Sequence, residues 1–113
     1  MSTSRITTHV LDATTGRPAV GVAVELYARA GADWASIAAG ATDADGRIST
    51  LGPDELPSGE YRLRFDTGAY FRERGADTFY PEVVLTVLVA DDGRHVHAPL
   101  LLSPFAYSTY RGS

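Results

Sequence analysis

Three histidines are the side chains whose ordinary pKa lies near neutrality, and two of them, His95 and His97, stand two residues apart. On a strand, residues at i and i+2 share a face, so His95, His97, Pro99 and Leu101 point one way while Arg94, Val96 and Ala98 point the other. His9 lies in an early segment, out of phase with Ile6, Thr8 and Val10. Three readings compete. In the first, the histidines are ordinary core or surface residues that no chemistry needs. They can form a three-histidine zinc site, although no carboxylate stands beside the pair to orient it. Or they carry protons in acid–base catalysis beside an arginine.

Arg47 follows the turn residues Asp45 and Gly46 directly. It is either a solvated charge or a clamp that stabilises developing oxyanion charge. The chain closes on Tyr107, Ser108, Thr109, Tyr110, Arg111, Gly112 and Ser113, after an apolar run. If that tail is held, the Tyr110 hydroxyl, the Arg111 guanidinium and the terminal carboxylate become fixed groups. Asp12, Asp43 and Asp45 read as turn residues with local backbone bonds. Ser108 and Ser113 have no adjacent base and no nucleophile elbow around them. Tyr61, Tyr70 and Tyr80 read as core or rim aromatics.

These groups need a scaffold, and the hydrophobic period supplies one. Alternation predicts strands over 6–11, 20–27, 34–39, 60–65, 83–89, 95–102 and 106–110. Turns are expected at 12–18, 28–33 and 53–59, and a hairpin turn at Asp91, Asp92 and Gly93. Residues 67–75 break the pattern and predict a two-turn amphipathic helix closed by Gly75. Seven or eight short strands with regular turns indicate an antiparallel sandwich. A length of 113 residues suits one domain over 1–113.

Composition narrows the function further. The formal net charge is −4, which argues against nucleic acid or an anionic membrane as partner. Every fixed positive charge is an arginine, so anion binding would be forked and bidentate. The absence of cysteine removes disulfides and thiolate chemistry. Met1 to Arg5 is a short polar lead with no apolar h-region, and no run reaches membrane-spanning length, so a soluble cytoplasmic protein is expected.

The ordered set Thr7-Thr8-His9-Val10-Leu11-Asp12, then Asp45-Gly46-Arg47, then His95-Val96-His97-Ala98-Pro99-Leu100-Leu101-Leu102-Ser103-Pro104, then Tyr107 to Ser113, resembles the transthyretin-like 5-hydroxyisourate hydrolases over nearly the whole chain. The resemblance implies an all-β, eight-stranded β-sandwich with one short helix. It implies a homotetramer, a dimer of dimers, with active sites in a channel between dimers. It assigns catalytic roles to His9, Arg47, His97 and Tyr110, and substrate contacts to Arg47, Ser108, Tyr110, Arg111, Gly112 and Ser113. No metal and no organic cofactor are implied. One departure is Val96, where the family often has tyrosine; it faces away from His97 on an alternating strand. The activity implied is hydrolysis of 5-hydroxyisourate in urate breakdown. The competing expectation is a transthyretin-like carrier of a small aromatic ligand, which would want an apolar channel.

Overall fold

A computed structural model describes residues 3–113; Met1 and Ser2, part of the polar lead, lie outside the described residues. Alternating apolar residues build two sheets that face each other. One holds β1 (Ile6–Asp12), β2 (Arg17–Pro18), β5 (Arg47–Ile48), β8 (Val96–Ser103) and β9 (Ala106–Thr109). The other runs in the order β4 (Asp33–Ala41), β3 (Ala23–Ala30), β6 (Gly59–Phe65), β7 (Val83–Val89). Ile6, Val10, Leu100 and Leu102 from the first sheet meet Val24, Leu26, Leu63, Phe65 and Val83 from the second, all buried. Burial of this kind contributes roughly 1.5–3 kcal/mol per large aliphatic side chain. The opposite faces of β1 and β8 are thereby turned outward, carrying Thr7, His9 and Leu11 on one strand and His97, Pro99 and Leu101 on the other.

The sandwich is the expected one, with three differences. Among the described residues nine strands form, because two segments of two residues each, β2 and β5, pair along the same side of β1. Segments so short carry no period to read. The first sheet is mixed: β1 and β8 run parallel from Ile6↔Val96 to Asp12↔Leu102. Parallel neighbours need a long connection, and here the rest of the chain provides it. Asp91, Asp92 and Gly93 do not close a hairpin. They carry the chain from β7, which pairs with β6, across to β8, which pairs with β1 and β9.

The β3–β4 turn is tighter than residues 28–33, because Gly31 at φ 66° reverses the chain and the alanines beside it continue the ladder. At its other end β3 begins only at Ala23, after Gly21 at φ 80° has turned aside to bond Thr42. The helix α1 spans Thr67–Glu73; the Asp66 carboxylate accepts from Ala69 N–H at 3.2 Å and caps it. Gly75 follows with φ 66°, as the helix stop requires.

The helix is tied to the first sheet through Asp12. Its carboxylate accepts from the Thr14 N–H at 2.9 Å and from the Tyr70 hydroxyl at 2.8 Å. Burial, and then the bond to Asp12 with its charge, push the Tyr70 phenol up to about 12. Replacing Tyr70 with Phe leaves one carboxylate oxygen short of a donor inside the fold. The expected loss is about 1–3 kcal/mol of unfolding free energy, read from denaturant midpoints at matched protein concentration. An unchanged midpoint would show that water replaces the hydroxyl at no cost.

Candidate active site

Three local devices aim side chains at one patch of the outward face of β1, β5 and β8. The first is the turn before β5. The Asp43 carboxylate accepts from the Asp45 N–H at 2.9 Å and from the Arg47 N–H at 3.0 Å. Gly46 at φ 75° packs so closely that an added Cβ would collide with the Val10 carbonyl oxygen. This turn sets Arg47 directly opposite His9 in the β1–β5 register. Among the described residues no ion pair engages the Arg47 side chain.

His9 is fixed by the same turn. Its Nε2 lies 3.0 Å from the Asp45 carbonyl oxygen. A carbonyl only accepts, so Nε2–H donates this bond.

The second device is the parallel register, which places Thr7 beside His97. The Thr7 hydroxyl lies 2.8 Å from His97 Nδ1 and 2.7 Å from His95 Nε2. His95 sits just before β8 and is exposed, with its ring stacked on that of His97 at 6.3 Å. His97 itself is half-buried.

The third device is the tail. The Gly112 N–H donates to the His97 carbonyl at 2.9 Å, and the two residues form a bridge beyond the end of β9. A Cβ on Gly112 would collide with His97 Cδ2. The tail therefore passes against the imidazole, and it separates two cavities. One, of about 250 Å³, is walled by Thr7, Arg47, Ser49, His95, His97 and Ser113, with Thr3 and Thr8 at its edge. The other, of about 370 Å³, is more apolar; His97, Tyr110 and Arg111 line it together with β7 residues such as Val84 and Leu88.

Of the residues singled out in the sequence, Arg47, His97 and Ser113 thus share one cavity. His9 flanks Arg47 without lining that cavity. Tyr110 and Arg111 lie on the far side of His97, and Tyr110 is 60% exposed. Ser108 stands opposite Leu101 on β9 and lines neither cavity. Thr7 and Ser49 were not singled out. Thr7 shares the His9 face by simple alternation, which is the signal that could have found it; Ser49 has no such marker.

Electrostatics single out His97. Burial, then the Arg47 charge, then His95 and His9, hold its pKa below the ordinary value of 6.5, with the Thr7 main chain acting weakly the other way. A half-buried imidazole that stays neutral beside an arginine can accept a proton from water at neutral pH. Arg47, with no carboxylate partner among the described residues, can hold an anionic oxygen. Together they suit hydrolysis of a carbonyl compound that develops negative charge.

The comparisons with known proteins bear on this arrangement. The profile described as Transthyretin: HIUase/Transthyretin family matches residues 6–112. The chain belongs to the HIUase/transthyretin family. Within the family, it is 44% identical over 109 residues to a 5-hydroxyisourate hydrolase of Salmonella dublin, covering 96% of this chain and 80% of that protein. It is 42% identical to the 5-hydroxyisourate hydrolase of Mus musculus, covering 97% of this chain and 96% of that one. Among solved structures, Klebsiella pneumoniae 5-hydroxyisourate hydrolase superposes with a TM-score of 0.85 at 38% identity, covering 96% of this chain and 98% of the other. Sea bream transthyretin in complex with thyroxine superposes at 0.91 with 35% identity, covering 96% and 94%.

Two outcomes follow for the imidazole and the tail. Titrated by NMR, His97 should protonate below pH 6.5, and Arg47→Ala should move its midpoint upward, because a nearby positive charge that disfavours the imidazolium is gone. A midpoint at or above 6.5 in the unaltered protein contradicts the electrostatic account. Gly112→Ala should detach the tail, seen as faster amide exchange at Gly112 with the core amides of β1 and β8 unaffected.

Proposed function

We propose that the chain is an enzyme that hydrolyses 5-hydroxyisourate to 2-oxo-4-hydroxy-4-carboxy-5-ureidoimidazoline, as its hydrolase relatives are named to act on 5-hydroxyisourate. The observation that carries this reading is the union of Arg47, His97 and Ser113 around one cavity with His9 across the strand pair from Arg47.

In this mechanism the flat, carbonyl-rich substrate lies against the outward face of β1 and β8. Arg47 holds its oxygens through charge-assisted bonds, and the terminal segment from Tyr110 to Ser113 closes on the ring. A water oxygen bonds to a ring lactam carbonyl carbon while His97, or His9 from the facing side, takes the water's proton. Negative charge grows on the carbonyl oxygen, where the guanidinium stabilises it. The ring carbon–nitrogen bond then breaks. The carbonyl becomes the new carboxylate, and the leaving nitrogen takes a proton from the charged imidazole and becomes part of the ureido group.

The reading includes assembly as a homotetramer, a dimer of dimers. The strands β7 and β9 both end their sheets with one side unpaired, and exposed edges of this kind invite pairing between copies. Leu88 is 73% and Phe105 68% exposed, which is costly on an isolated chain. A second dimer laid on the outward face would shield the substrate from water. Cytoplasmic location and a place in purine breakdown complete the proposal. A carrier of aromatic rings is the second reading, suggested by the likeness to sea bream transthyretin in complex with thyroxine. It is disfavoured by the arginine and the imidazoles on that face, since such a carrier needs an apolar lining.

Decay of freshly made 5-hydroxyisourate, supplied by urate oxidase and followed by absorbance, tests the reading. His97→Asn should bring turnover close to the spontaneous rate. Arg47→Ala should lower kcat/KM by about 10²-fold, corresponding to roughly 3 kcal/mol of transition-state stabilisation. Near-complete retention of activity in either variant sinks the assignment. Sedimentation should return about four chains of 12.1 kDa per particle; a monomer would remove the shared channel.

A further inference from the structure

Behind His97 stands a chain of groups to which the mechanism above gives no task. The Thr7 hydroxyl sits between two imidazoles, 2.8 Å from His97 Nδ1 and 2.7 Å from His95 Nε2. A hydroxyl carries one proton and donates once, so one of these two bonds must be donated by a ring N–H. With both rings neutral and the hydroxyl proton shared within the trio, two arrangements satisfy all three groups. Either His97 Nδ1–H donates to Thr7, whose O–H donates to His95 Nε2, or the whole series runs in reverse.

The first leaves the lone pair of His97 on Nε2, as the acid–base role proposed for His97 requires. Thr7 is buried, at 6% exposure, so its hydroxyl has little other recourse to water. His95 is exposed, so its remaining Nδ1–H can reach solvent. Gly112 passes so close to His97 that an added Cβ would collide with Cδ2, the carbon next to Nε2.

We propose that Thr7 and His95 are positioning residues that hold His97 with its proton on Nδ1 and its lone pair on Nε2, the nitrogen left for substrate water. This rests on the acid–base role proposed for His97. When Nε2 accepts a proton, the charge of the imidazolium is shared through Nδ1–H onto Thr7, whose own O–H remains bonded to His95. Without Thr7, nothing at Nδ1 selects between the two neutral tautomers, and a ring protonated on Nε2 cannot serve as base.

The test uses the full chain with nitrogen-15 in its imidazoles. Long-range nitrogen–proton spectra at neutral pH report the tautomer of each ring, and steady-state assays with fresh 5-hydroxyisourate report kcat and KM separately. His97 should carry its proton on Nδ1 in the unaltered protein. Thr7→Val, nearly the same shape without the hydroxyl, should move the population toward Nε2–H and lower kcat by about 10- to 100-fold with KM little changed, the range seen when a partner orienting a functional imidazole is lost. Thr7→Ser should restore both readings. His95→Ala, which alters an exposed residue and leaves the core alone, should shift the tautomer in the same direction and keeps the test open if Thr7→Val folds poorly. His97 protonated on Nε2 from the start, or a Thr7→Ser variant as impaired as Thr7→Val, overturns the proposal. A changed tautomer with unchanged kcat overturns the acid–base role of His97 itself, and the proposal with it.

Discussion

In the parallel ladder of β1 and β8, successive residues face opposite ways, so one register serves two tasks. The inward set, Ile6, Thr8 and Val10 against Val96, Ala98 and Leu100, closes the core. The outward set, Thr7 and His9 against His97 and Pro99, forms the floor of the candidate site. A slip of one residue would put imidazoles into the apolar layer and valines into the cavity. The cost of burying unpaired polar rings therefore protects the geometry of the outer face. Thr8 reinforces the same register, its hydroxyl donating to the Ala98 carbonyl at 2.6 Å.

On this floor the charges are arranged against one another. Arg47, His9 and His95 all surround His97, and each addition of positive charge there disfavours the imidazolium. A site meant only to bind an anion would gain from charged imidazoles. A site that needs a base loses from them, and the neutral state of His97 is what the surroundings produce. In the proposed mechanism the arginine supplies the permanent charge while the histidine keeps its lone pair, which divides binding and proton transfer between two groups.

The sandwich was legible in the sequence because period-two alternation is imposed residue by residue. It showed in β1, β6, β7 and β8, and the helix was marked by its break in that alternation and by Gly75. Tyr70 and Asp12 were readable as packing and turn residues, although their mutual bond was not. What escaped were facts that no local pattern encodes. Asp91, Asp92 and Gly93 announce a reversal, but they do not say whether the next strand pairs with the last or crosses to the other sheet. The two-residue strands β2 and β5 are too short to carry a period. In the site, the resemblance to a known family gave the residues their roles, and the residues alone gave histidines on strand faces, an arginine after a turn and a tail of fixable groups. Thr7 was on the right face all along. Its significance comes from β8, nearly the whole chain away, and a hydroxyl between two rings exists only once the parallel register is known.

The backbone itself does not choose between the activities found on this fold. A thyroxine-bound transthyretin and a named hydrolase both superpose closely on this chain. What can differ between a carrier and a hydrolase is the outward face of β1, β5 and β8, where side chains are free of the core and can change without disturbing it. An apolar ring is held by surrounding it with hydrocarbon, whereas cleavage of a ring amide requires groups that move protons and absorb charge. Here that face presents Thr7, His9, Arg47, His95 and His97, and the Asp43 turn, the close-packed Gly46 and the Gly112 bridge hold it in shape. Loops and glycines spent on fixing polar side chains at a surface, rather than on widening an apolar channel, are the mark of a face built for chemistry.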